Sequence, residues 1–293
     1  MRNDTTVENH LAIIKKLPLL KGKRFSVTEL KGGITNANYK IRTGKKTCVA
    51  RFAPKDTAIL GVSKTHEVKN CAIAERLGVG PKPVKFYPEH NLLLLEYVSG
   101  QVLNKKLIRK KSSIIKLARL LKTIHEGPRF KNYVDLFDQA RQYFSTAKRL
   151  GARMPGNSAY LISSIDILER KLENKSWFKP THMDLMITNV VQTKTGLQLI
   201  DWEYSANADC RFDVAFLSFK ASYTSAQDAL LLKSYGSKRF SVPQLELMKC
   251  FVALHQAGWY LIETKLSKIK FDYKKYAIMH LNRFNKMAKR LSL

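Results

Sequence analysis

Apolar residues recur along this chain with two different periods, and the change from one to the other divides it. From about residue 25 to residue 98 they alternate in twos, the mark of half-buried strands. Residues 25–30, 37–42 and 46–52 read as three strands, the last two turning at Thr43-Gly44-Lys45. Residues 84–87 and 92–98 read as two more, joined across Pro88-Glu89-His90-Asn91. A short leading helix is expected over 7–20, ending near Pro18, and a second over 63–77, with Ser63 as N-cap and Gly78 as its stop. Ser99-Gly100 breaks this pattern, and apolar residues then fall three and four apart over 112–125, 133–150 and 159–173. The pattern predicts an α+β fold: a small, mainly β lobe over 1–98, a hinge over 96–101 and a larger helical lobe over 99–293.

One stretch interrupts the helical half. Thr181-His182-Met183-Asp184-Leu185-Met186-Ile187-Thr188-Asn189 reads H-x-D-x-x-x-x-N, and Asp201 follows twelve residues after Asn189. Between them, 190–193 and 197–200 read as two strands turning at Lys194-Thr195-Gly196, a hairpin that returns Asp201 towards Asn189. This is the spacing of a phosphoryl-transfer loop. Such a reaction requires a base near the attacking hydroxyl and oxygen ligands for magnesium on the phosphates. Asp184 is the expected base, and Asn189 and Asp201 are the expected metal ligands.

Two segments of the β half acquire meaning from that loop. Strand alternation puts Val49 and Arg51 on one face and Cys48, Ala50 and Phe52 on the other, so Arg51 can clamp nucleotide phosphates with Glu67, on the 63–77 helix, as its partner. Lys31-Gly32-Gly33-Ile34-Thr35-Asn36 lies between the first two strands. Its paired glycines allow close backbone approach to phosphate, with Thr35 and Asn36 as short polar side chains. Taken alone, the segment is equally an ordinary hairpin turn.

Composition narrows the class without naming a partner. The chain has 293 residues, with 52 Lys and Arg against 23 Asp and Glu, a net charge of +29. Such a field draws polyanions, but the basic residues are spread along the chain and accompany no zinc-finger, RNP or basic-zipper pattern, so no specific nucleic-acid partner is expected. The basic run from Lys265 to Arg290 suits either a solvated helix face, the preferred reading, or a weak electrostatic contact with an anionic membrane surface. No apolar run reaches bilayer length and the first residues form no signal sequence, so a cytoplasmic enzyme is expected. Cys48, Cys71, Cys210 and Cys250 show no metal spacing and are expected to be buried thiols.

The residues above, with Leu95-Glu96-Tyr97, Ile200-Asp201-Trp202-Glu203-Tyr204-Ser205, Phe212-Asp213-Val214-Ala215 and the tail from Trp259 to Ala277, resemble the choline and ethanolamine kinase branch of the aminoglycoside phosphotransferase-like kinases. The resemblance runs over most of residues 25–285. It implies a two-lobed, protein-kinase-like fold, ATP and Mg2+ as cofactors, and a small alcohol as acceptor: choline most of all, or ethanolamine, with thiamine and aminoglycosides as alternatives. A pseudokinase or basic binding module on the same scaffold is the alternative outside enzymes. The implied nucleotide contacts are Gly32, Gly33, Thr35, Asn36, Arg51, Glu67, Glu96 and Tyr97. The implied acceptor contacts are Asp184, Trp202, Glu203, Tyr223 and Trp259, with Tyr204 as a further ring and Asp209 as a further anion; each ring is equally a candidate for the core. Asp213 either braces the catalytic loop or is a plain helix-start carboxylate. Two departures stand out. Gln256 occupies the place of the first of two Trp residues three apart, and the helix after the Phe-Asp motif carries Lys220 where the choline kinases carry an acid.

Overall fold

The computed structural model describes every residue except Met1–Asn3, Gly32, Ile34, Pro155, Glu173 and Asn174. Gly32, expected at the phosphates, therefore lies outside the described residues. The chain opens with α1 (Asp4–Lys15), which stops earlier than expected. Pro18 cannot continue an α-helix, and Pro18–Leu20 forms a separate 3-10 turn. Strands β1 (Ser26–Leu30), β2 (Ala37–Thr43), β3 (Lys46–Phe52), β4 (Pro83–Tyr87) and β5 (Leu92–Glu96) form one antiparallel sheet in the order β1-β2-β3-β5-β4. One face of this sheet, with Tyr39, Ile41, Ala50, Phe52, Leu92 and Leu94, packs on Ile14 of α1 and on Leu17 and Leu20. On the other face Leu93 and Leu95 join Cys71 and Ala74 of α2 (Lys64–Arg76). Alternation thus sends Arg51 to the α2 side, as its position in the strand predicts. Ser63 caps α2, accepting from His66 N at 3.4 Å.

A short sheet joins the lobes. Strand β6 (Gln101–Val102) follows Gly100, where a Cβ would lie 2.3 Å from Gln192 O, so only glycine allows this approach. The helical lobe comprises α3 (Lys105–Ile108), α4 (Lys111–His125), α5 (Leu136–Arg149), α6 (Ser158–Leu172), α7 (Arg211–Ala221), α8 (Ser225–Tyr235), α9 (Val242–Leu266) and α10 (Tyr273–Leu291). Helix α5 starts three residues later than its apolar period suggests, because Asp135 accepts from Phe137 N and Asp138 N and fixes the start there. Helix α9 is the axis of this lobe, with α5, α6, α7 and α10 packed against it. Four strands carry the catalytic segment: β7 (Phe178–Thr181) pairs with β10 (Ala206–Asp209), and β8 (Val190–Gln192) with β9 (Leu197–Leu199). All four cysteines are buried and free. Among the described residues no helix is long and apolar enough to cross a membrane.

Candidate active site

The β8–β9 hairpin forms as its sequence predicts, and Ile200 N donates to Asn189 O at 2.9 Å to close it. Asp201 therefore leaves the hairpin beside the loop that carries Asp184. Both turns are conformationally demanding: Met183 has φ +66° and Asp201 φ +71°, values that side chains with a Cβ rarely adopt. Asp213 supplies the restraint for the first. Fully buried in the first turn of α7, it accepts from His182 N at 2.8 Å and from Met183 N at 2.8 Å. Of the two readings open for Asp213, the geometry selects the brace. His125 holds the same carboxylate at 3.1 Å and Tyr235 at 2.8 Å. Burial works against its charged form, but Cys210 and the bond to Asp213 outweigh this and bring it up to about 9. His182, bonded to Ile200 O at 3.1 Å, is kept neutral: burial lowers it to about 4.

Asn189 Nδ2 donates to the Asp184 carboxylate at 2.9 Å and to the Asp184 carbonyl at 3.0 Å. Both bonds engage the amide nitrogen of Asn189 and not its oxygen. Burial first, then the charges of Asp201 and Glu203, raise Asp184 to about 7, against the pull of Lys220 and the Asn189 bond. Burial likewise raises Asp201 to about 6; Arg51 opposes the shift, and Glu203 and Glu67 add to it.

Across from this loop lies a buried charge cluster. Arg51 contacts Glu67 at 2.8 Å, Glu203 at 3.1 Å and Asp201. Lys64 contacts Glu67 at 2.7 Å and Glu203 at 3.1 Å. The expected Arg51–Glu67 pair is present, but as part of a five-member network. Glu203, expected to meet the acceptor, is a hub of that network. Burial disfavours its charge, yet Lys64, Arg51 and the 2.9 Å bond from Asn36 Nδ2 hold it near 2. Asn36 thus ties the loop after β1 to the catalytic lobe, and Thr35 Oγ1 adds a longer contact to Glu203 at 3.4 Å. Gly33 is required by sterics, since a Cβ there would meet Asn36 O at 2.8 Å. Among the described residues, Arg51 Nε is buried without a hydrogen-bond partner.

The remaining expected contacts divide. Trp259 lines a pocket of about 60 Å³ with Asp184, Tyr143, Gln256 and Tyr260, and its Nε1 donates to Tyr204 Oη at 2.8 Å. Trp202 does not reach it. The ring is fully buried, packs edge-on to His182 and Phe130, and donates to Leu199 O at 2.9 Å, so it braces the hairpin from below. Tyr223 donates to Ile108 O at 2.8 Å in the α7–α8 corner and is likewise a core residue. Asp209 is paired with Arg211 Nε at 2.9 Å and is no acceptor anion. Glu96 ends β5 exposed, and Tyr97, next to it at the lobe junction, carries Lys40 Nζ 3.9 Å above its ring. The pocket opens, through shared Thr35, Glu203 and Tyr204, into a cleft of about 700 Å³. Lys64 and Glu263 at this site escaped the sequence reading. An i,i+3 Lys-x-x-Glu pair on α2 was the available signal for the first.

Residues 27–233 match the choline/ethanolamine kinase family. The chain belongs to that family. It is 25% identical to Protein LicA of Haemophilus influenzae over 207 residues, 70% of this chain and 61% of that protein, so the match spans less than two thirds of that relative. It is 26% identical to a thiamine kinase of Salmonella heidelberg over 67% of this chain and 69% of that one. A crystal structure of choline kinase LicA from Streptococcus pneumoniae superposes with a TM-score of 0.80 at 26% identity, covering 97% of this chain and 99% of that one. The expected two-lobed, protein-kinase-like fold and the small-molecule kinase class are thereby borne out.

Proposed function

We propose that this chain transfers the γ-phosphoryl group of ATP to the hydroxyl of a small amino alcohol, with choline narrowly ahead of ethanolamine. The observation that carries the reading is Asp184, bonded to Asn189 and facing an acceptor pocket walled by Trp259. Asp184 takes the acceptor proton as its oxygen attacks phosphorus in line and ADP departs. A carboxyl raised to about 7 is a competent base near neutral pH. Asn189 and Asp201 are all-oxygen donors of the kind magnesium accepts alongside phosphates, and the like-charged crowding that raises Asp201 is what a cation relieves. Bound there, magnesium would neutralise charge on the phosphates.

Arg51, with its unpartnered Nε, is the phosphate clamp, held in place by Glu67. After β1, Gly33 and Thr35 cover the phosphates, while Glu96 and Tyr97 at the lobe junction bound the nucleotide base. Trp259 and Tyr260 offer ring faces to an ammonium group.

Gln256 in the pocket wall leaves this cage with fewer rings than a quaternary ammonium prefers, which leans towards ethanolamine within the amino alcohols, and the likeness to thiamine kinases makes thiamine the second reading. Turnover of choline, ethanolamine, thiamine and an aminoglycoside with ATP and magnesium is the test. The amino alcohols are expected to react with the highest kcat/KM. Phosphorylation of thiamine or an aminoglycoside with neither amino alcohol would overturn the acceptor assignment and leave the kinase chemistry standing.

A further inference from the structure

A cationic acceptor requires a counter-ion, and most carboxylates near this site are already engaged. Glu67 and Glu203 neutralise Arg51 and Lys64. Asp213 grips the catalytic loop and Asp209 holds Arg211. Asp184 and Asp201 belong to the chemistry. Beyond Asp213, helix α7 carries no carboxylate and one lysine, Lys220. Lys220 there lies 3.2 Å from His280 Nε2 and 5.6 Å from the centre of the Tyr260 ring, and burial lowers it to about 7, so this stretch of helix supplies no anion behind the pocket wall.

Glu263 is the exception. It lies one turn beyond Trp259 on α9, close to the same helix face, and lines the cleft of about 700 Å³ with Glu203 and Tyr204. It is 5% exposed, yet among the described residues its carboxylate has no ion pair or hydrogen bond. Lys268, in the loop after α9, lines the same cleft without pairing to it. We propose that Glu263 is the counter-ion of the acceptor, receiving its cationic head against the Trp259 ring. The inference rests on the reading of the chain as a kinase of a cationic alcohol; thiamine and aminoglycosides would equally require such an anion. Burial and the charge of Glu203 raise the Glu263 carboxyl to about 7, as befits an anion held without its partner.

Calorimetric titration with choline, ethanolamine and thiamine, in the presence of ADP and magnesium, tests the assignment alongside the tert-butyl analogue of choline, an uncharged alcohol of the same shape. Glu263→Gln is expected to weaken the bound cation by roughly tenfold or more, leave ADP affinity within about twofold and leave the uncharged analogue unaffected. Glu263→Asp should recover part of the loss. Melting of the unliganded protein provides a second measurement: removing an unpaired buried charge should hold Tm or raise it, whereas a structural carboxylate would lower it. Wild-type cation affinity in Glu263→Gln, equal losses for the cation and its uncharged analogue, or a lowered Tm would overturn the proposal. If the wild-type chain binds no cationic alcohol, the acceptor reading falls and takes this inference with it. If it binds one and Glu263→Gln binds it equally, this inference alone falls.

Discussion

Arg51 touches three carboxylates and is 4% exposed, so removing it has two separate consequences. The KM for ATP should rise more than that for the alcohol, because the lost contact is to phosphate. Stability should also drop by about 3 to 5 kcal/mol, since three acids lose a buried counter-charge. Arg51→Lys should rescue only part, offering a point charge where a planar fork bridged several oxygens. Steady-state kinetics combined with denaturant melts separate these effects; equal changes in both KM values would make Arg51 purely structural. Asp184→Asn should lower kcat by at least about 10² with nucleotide affinity nearly intact, and wild-type turnover would end its assignment as base. Asp201→Ala should instead abolish magnesium-dependent nucleotide binding, read by titration with and without the metal.

At the scale of elements, the catalytic loop depends on α7. One carboxylate, Asp213, satisfies two consecutive backbone amides and sustains the left-handed turn at Met183. Asp213→Asn keeps the shape but removes the charge and one of the acceptors. Asp184 should then sit imperfectly, and kcat should fall by roughly 10² while the KM for ATP changes little. An unchanged kcat with a lowered Tm would reduce the brace to a stability role. The loop itself was legible in the sequence because its spacing is local: eight residues from His182 to Asn189 and twelve more to Asp201 leave few ways to arrange a hairpin between them. Its support was not, because residue 213 meets residue 182 only through the packing of α7.

Over the whole molecule, buried histidines contribute to the response to acid. His255 Nε2 donates to Gln139 Oε1 at 2.8 Å, and its Nδ1 is buried without a partner. Burial, then the nearby Lys220, lowers it to about 3. The unfolded chain binds this proton near pH 6.5, so the contribution of His255 is complete above that pH and is lost progressively as the pH falls towards 3. His182, near 4, and His280, near 3, act in the same direction. His125, near 9, acts oppositely: its contribution is present below pH 6.5 and is lost as the pH rises through 9. His182, His255 and His280 lower the unfolding free energy on the acid side of pH 6.5, while the raised carboxyls of Asp184, Asp201 and Glu263 act against them over the same range; His255→Gln should remove the His255 share, on the order of 1 kcal/mol per pH unit. An unaltered slope would show that His255 does not contribute. The net charge of +29 belongs to the same scale, and binding to anionic vesicles at low salt should vanish near physiological ionic strength.

The sequence by itself determined the strands and helix of the β half, the hairpin behind the catalytic loop, the spacing of Asp184, Asn189 and Asp201, and the sheet face on which Arg51 lies. All of these follow from backbone periodicity and short loops, whose reach is a few residues. Which charges are matched was a different question. Glu203 and Lys64 are 139 positions apart, and nothing local marks Glu203 as a network hub or Glu263, one turn beyond Trp259, as unpaired. Trp202 and Tyr223 carry the same aromatic signal as Trp259, yet two are sealed beneath the hairpin and in the α7–α8 corner and one faces the pocket. Burial and pairing are properties of neighbours brought together from distant segments, and the tertiary structure alone decided them.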